Sequence, residues 1–181
     1  MIQDQAIGGF AADLAARQPT PGGGAAAAVT AALGCATGAM ACRYTTGEKF
    51  AAVAEEALAL ATRLDAWRIR ALELADADAV AYAGVGAARK TKDPAAIAAA
   101  EAAAAAVPAE AMTLCASAAE ACALFRPRCN PWLVSDIDTA LHLLAGAGRS
   151  AWHTLVINRP SVELRAQGEA ALASLARSEA R

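Results

Sequence analysis

Aromatic residues are scarce: three Trp, two Tyr and three Phe make up 4% of the 181 residues. A core with so few rings has to be assembled from many small apolar contacts spread over several elements. An excess of positive charge is also missing. Sixteen Lys and Arg against eighteen Asp and Glu leave a formal net charge of -2, and the basic face that a nucleic-acid partner requires is excluded. Five cysteines, an odd number with no CxxC pair, give neither a complete disulfide set nor a zinc site, so they read as small core residues in a reducing cytosol. The two histidines, His142 and His153, are three helical turns or about 16 Å apart, too far for one metal. The N-terminus lacks the basic region and apolar run of a signal peptide. No stretch alternates apolar and polar residues, and β-branched residues are few, which leaves an all-α chain.

Alanine dominates what is present. The chain is 57% apolar, and alanine-rich helices pack closely while burying little area each, so many helices must share one core. Residues 1–181 suit a single multihelical up-and-down domain. Ile7, Phe10 and Leu14 predict an amphipathic first helix over 4–17. A second runs from Gly24 to Cys42, and a long one from Phe50 to Arg89. Asp93 and Pro94 have the cap and first-position chemistry to open a fourth, which continues to Phe125 with an expected kink at Pro108. Ser135 is the expected cap of a fifth helix ending near Asn158, and a charged helix over 161–179 closes the chain. The uncharged stretch 18–42 is long enough to span a bilayer, but its alanines and glycines give insertion little drive. It reads as a buried central helix whose Gly34-x-x-x-Gly38 spacing allows a close helix or subunit contact.

The chain is organised around Pro19-Thr20-Pro21-Gly22-Gly23-Gly24, which runs directly into that central helix. Pro21 is well placed ahead of a helix, and three glycines leave the turn free of side chains. The first N–H groups of a helix have no internal partner and form its electropositive end, so a flat or anionic ligand could lie against this backbone. The turn is neither a Walker loop, for lack of Gly-Lys-Ser/Thr, nor a dinucleotide fingerprint, for lack of a preceding strand.

Few side chains remain that could carry chemistry. Asp76 and Asp78 are two apart, which on a helix turns them roughly 200° from one another, so one of them faces an interior. A carboxylate amid alanines has its pKa raised by desolvation, as a general acid or base near neutrality needs. Lys49 starts the long helix after a break at Gly47; Asn130 and the Ser135-Asp136 pair flank an irregular connector, where capping would also account for them.

Taken together, these stretches resemble the cyclodeaminase/cyclohydrolase family, which comprises methenyltetrahydrofolate cyclohydrolases and the C-terminal domain of formiminotransferase-cyclodeaminase. The resemblance rests on Pro19 to Gly24 with the Ala-rich helix, Thr46-Gly47-Glu48-Lys49, Asp76-Ala77-Asp78-Ala79 with Tyr82, Val107-Pro108, Asn130 with Ser135-Asp136, and Leu155-Val156-Ile157-Asn158. The chain departs from the family pattern at Glu48, at Thr154, and at Arg89 to Lys92, where a Leu-Pro-Lys stretch is usual. The resemblance implies an intertwined homodimer and a folate-derived substrate, with no metal and no cofactor beyond the folate, no nucleic-acid or membrane partner, and a cytoplasmic location. It further implies that Asp78 or Asp76 is the base, that Lys49 steadies the folate or moves a proton, and that Pro21, Gly22, Gly23, Gly24, Asn130, Ser135 and Asp136 bind the substrate. A chain without a formiminotransferase domain favours hydrolysis of 5,10-methenyltetrahydrofolate to 10-formyltetrahydrofolate. Deamination of 5-formiminotetrahydrofolate and a non-catalytic folate-binding or structural dimer are the alternatives.

Overall fold

The computed structural model describes residues 1–180. Among them are six α-helices: α1 Ile7–Ala15, α2 Gly23–Arg43, α3 Ala54–Thr91, α4 Pro94–Phe125, α5 Val134–Ile157 and α6 Val162–Glu179. Short 3-10 turns occupy Ile2–Asp4, Glu48–Phe50, Arg126–Arg128 and Pro131–Leu133, and no strand occurs among the described residues.

The helices alternate in direction. Gly38 of α2 lies beside Leu64 of α3 and Ala140 of α5, while Gly24 lies beside Asp78 and Gly34 beside Leu144. Numbers that rise along α2 therefore fall along both α3 and α5. In space α2, α3, α4 and α5 follow one another around the bundle, and α6 packs against α4 and α5.

Small residues set how tightly this bundle closes. The buried face of α2 is almost wholly Ala, Gly and Cys, from Ala25 and Ala28 through Cys35 to Cys42. A Cβ added to Gly38 would stand 3.0 Å from the Cys122 sulfur of α4 and 3.3 Å from a Leu64 methyl. The Gly34/Gly38 pair thus serves close packing inside the chain. Cys35 and Cys42 are two turns apart on α2, and Cys115 and Cys122 on α4, whereas Cys129 lies in extended backbone beyond α4; all five are buried and free. Gly23–Arg43 and Pro94–Arg128 are long and apolar enough to cross a membrane, yet 61% of each apolar window is buried in the bundle.

Several local expectations need correction. The N-terminal segment divides into a 3-10 turn and the shorter α1, which buries no residue. α3 starts at Ala54, because the 3-10 turn Glu48–Phe50 precedes it. Asp93 caps α4 as expected, its carboxylate accepting the Ala95 N–H at 3.0 Å. Ser135 caps nothing: α5 already begins at Val134 and has no side-chain cap. The polar turn-former is Asn130, whose Oδ1 accepts from the Trp132 N–H at 3.1 Å. Asp138, one turn further along α5, pairs with Arg126 through two bonds of 2.5 and 3.0 Å.

Burial is uneven along the two longest helices. The last buried residue of α3 is Ala75 and the first of α4 is Ala104, so the whole α3–α4 hairpin from 76 to 103 has no fully buried residue. That hairpin overhangs the N-terminal end of α2, and the recess beneath it is where the site lies.

Candidate active site

A recess at this end of the bundle encloses about 520 Å³. Its floor is the backbone of Gly22, Gly23 and Gly24 at the start of α2, with Pro19 and Thr20 beside it. One wall is α3, presenting Asp78, Tyr82, Val85 and Arg89. These positions are spaced by four, three and four residues, so they form one stripe on a helix. The opposite wall is Thr154, Ile157 and Asn158 from the end of α5, with Ala104 of α4 behind them.

Asp78 is fixed by two neighbours. Its Oδ2 accepts the Ala25 N–H at 3.1 Å, one of the N–H groups that the helix start leaves without an internal partner. A Cβ on Gly24 would come within 2.8 Å of Oδ2 and closer still to Oδ1, so only glycine allows the carboxylate onto the helix start. The site therefore uses Gly24 for an approach of side chain to backbone. Burial pushes the Asp78 carboxyl above its ordinary range, and the Ala25 hydrogen bond opposes that only in part.

Asp76 has a different place. Its Oδ1 accepts the Ile2 N–H at 2.6 Å and its Oδ2 is buried without a partner, so it holds the N-terminal turn against α3 and does not line the recess. Of the two expected carboxylates, the structure brings only Asp78 to the glycine turn.

The remaining expected residues lie at the other end of the bundle. α2 separates the two ends by about 30 Å, its 21 residues at helical rise. There Lys49 is exposed and lies over the Phe50 ring, 5.6 Å from its centroid. Asn130 is tied to the α2 end: its Nδ2 donates to the Tyr44 carbonyl at 3.0 Å and its N–H to Thr45 Oγ1 at 3.0 Å. Thr45, fully buried, passes its own proton to the Ala41 carbonyl at 2.9 Å. Ser135 and Asp136 sit in the first turn of α5 at this same end. Within one chain, Lys49, Asn130, Ser135 and Asp136 do not meet Asp78. Pro21 precedes the glycine turn, its peptide bond to Thr20 is cis, and it does not itself line the recess.

Residues that sequence reasoning did not place in the site are Tyr82, Arg89, Thr154 and Asn158. The first two were legible in principle, because they continue the Asp78 stripe along α3. Thr154 and Asn158 are neighbours one turn apart on α5, but only the packing of α5 on α4 directs them here. Asp78 and Arg89 are the two charged side chains on the recess, one over the glycine turn and the other three turns along α3, about 16 Å away. Arg89 Nη2 donates to Glu101 Oε1 at 2.9 Å. Among the described residues no group of three or more His, Cys, Asp or Glu could hold a metal ion.

A sequence model of formiminotransferase-cyclodeaminase matches residues 6–176. The chain belongs to this family. The matched residues include every helix from α2 to α5, the glycine turn, Asp78 and Asn158. Among solved structures, formiminotetrahydrofolate cyclodeaminase from Thermotoga maritima is similar, with a TM-score of 0.88 at 23% identity, covering 99% of this chain and 98% of the other. At that identity the likeness establishes the shared cyclodeaminase fold. No protein of curated function matches the sequence significantly.

Proposed function

We propose that the protein is a folate enzyme that converts 5-formiminotetrahydrofolate to 5,10-methenyltetrahydrofolate and ammonia. The observation that carries this reading is Asp78, a half-buried carboxyl with raised proton affinity held over a side-chain-free turn in a recess large enough for a flat ring system. Family membership supports the substrate class. The activity named for the similar Thermotoga maritima structure favours deamination over the hydrolysis expected from the sequence.

Ring closure needs one proton moved. N10 attacks the formimino carbon, a C–N10 bond forms, and N10 must lose its proton. The amino nitrogen on that carbon must gain one before it leaves as ammonia, and the C–N bond to it then breaks. A single carboxyl that takes the first proton and returns it to the amine balances the step. A raised pKa suits the first half, since it makes the carboxylate a stronger base toward N10. The glycine turn would receive the pterin face, and Arg89 would meet the carboxylates of the glutamyl tail. No cofactor beyond the folate takes part in this scheme.

The reading includes a homodimer. α1 carries Ile7, Phe10 and Leu14 yet buries nothing in its own chain, and the 76–103 hairpin has no fully buried residue. A second copy covering these surfaces would also be the way for Lys49, Asn130, Ser135 and Asp136 to approach a recess. The partners are thus a folate and a second copy, and the location proposed is the cytoplasm.

The test is to mix the purified protein separately with 5-formiminotetrahydrofolate and 5,10-methenyltetrahydrofolate and follow the methenyl chromophore. Growth of that chromophore with release of ammonia in the first mixture supports the proposal. Its decay only in the second would replace deamination with the cyclohydrolase reaction. No change in either would leave a non-catalytic member of the family.

A further inference from the structure

Pro108 lies inside α4, buried, and lacks the N–H that would bond the carbonyl four residues earlier. That carbonyl belongs to Ala104, which lines the recess. It is not left bare: the Asn158 side chain, from the end of α5, donates Nδ2 to Ala104 O at 2.9 Å. A carbonyl only accepts, so the amide nitrogen has to face α4 and the amide oxygen has to face away from it. Asn158 lines the same recess, and its Oδ1 has no partner in the protein and is not sealed off from solvent. The Asn158 backbone is held as well, its N–H donating to Thr154 O at 3.3 Å and Leu155 O at 3.2 Å.

We infer that the hydrogen-bond gap left by Pro108 orients Asn158 so that its Oδ1 receives an N–H of the bound ligand, across the recess from Asp78. Asn158 is then a binding residue, and Pro108, which touches no ligand, is its positioning residue. The chemical class it selects is a flat heterocycle whose edge carries amide-like or amine N–H donors, and a ring offering only acceptors there would be refused. An amide free to turn would present NH2 to the ligand half the time. The proline removes that choice by occupying the nitrogen.

The inference deepens the folate reading and rests on it. Its test measures binding of 5-formyltetrahydrofolate, a stable folate, together with thermal unfolding, for wild type, N158A, P108A and the double variant. In N158A the affinity should fall about three- to tenfold, the worth of one hydrogen bond, with KM rising and kcat nearly kept in the turnover assay. In P108A the helix regains its own donor to Ala104, Asn158 is freed to turn, and affinity should fall while the melting temperature does not. In the double variant the affinity loss should persist although the stability cost of N158A disappears. If Asn158 merely fills the gap in α4, affinity stays at the wild-type level in all three variants, and that result overturns the inference. Failure of wild type to bind the folate at all would instead remove the folate reading beneath it. Should N158A fail to fold, P108A and the double variant decide the matter alone.

Discussion

The carboxylate of Asp78 occupies the space that a side chain on Gly24 would need. One residue belongs to the first turn of α2 and the other to the middle of α3, and the contact joins the glycine turn to the acid–base group. Replacing Gly24 with Ala forces either the carboxylate or the helix start to move. Overpacking of this kind costs about 1–3 kcal/mol, and misplacing the acid–base group should reduce turnover by about a hundredfold or more. Urea unfolding and the methenyl assay on G24A measure the two effects. Wild-type turnover in G24A would show that the close approach is not needed.

Asp78→Asn keeps an oxygen for the Ala25 N–H and removes the titration. Turnover should fall by at least about a hundredfold. The stability change has a definite sign. The unfolded carboxyl titrates near 3.8, and the native one is higher because of burial. Between those two values the native state holds the proton that the unfolded state has lost. Wild-type stability therefore declines as pH rises through that window, and D78N lacks the decline. Unfolding free energies measured from pH 3 upward should show D78N gaining on wild type across the window and holding the gain above it. A difference independent of pH would contradict the raised proton affinity.

Arg89 stands three helical turns from Asp78 on the same stripe and is only singly bonded to Glu101. If it meets the glutamyl carboxylates, R89Q should raise KM for the glutamate-bearing folate about tenfold or more, the worth of a charge-assisted hydrogen bond. The same variant should leave KM unchanged for a substrate truncated before the glutamate. Equal effects on both substrates would move Arg89 out of tail recognition.

The five thiols should be silent in the native protein. Burial pushes Cys35, Cys42 and Cys115 up to about 12 and raises Cys122 and Cys129 as well. The thiolate is the reactive form, so a thiol reagent at pH 8 should titrate five groups in denaturant and essentially none without it. Rapid reaction of one or more native cysteines would mean that the core opens on that timescale.

Much of the fold can be read along the chain because it depends on local chemistry. Asp93-Pro94 starts a helix wherever it stands, since the cap and the proline act within one turn. The glycine turn likewise announces the start of α2. Ser135 misleads because a serine near a helix start is equally at home one residue inside it, and the backbone of Asn130 to Leu133 had already turned. α1 shows the limit of amphipathic spacing, which predicts an apolar face and not what covers it.

By itself the sequence determined that the chain is all-helical, that a side-chain-free turn leads its central helix, and that Asp76 and Asp78 point different ways so that only one can meet that turn, because these follow from spacing and residue type. Tertiary structure decided which aspartate it is, that Lys49, Asn130, Ser135 and Asp136 lie at the far end of α2, and that Asn158 answers the proline of another helix. These are contacts between residues tens of positions apart, and they are fixed by how alanine-lined helices settle against one another, which no local pattern records.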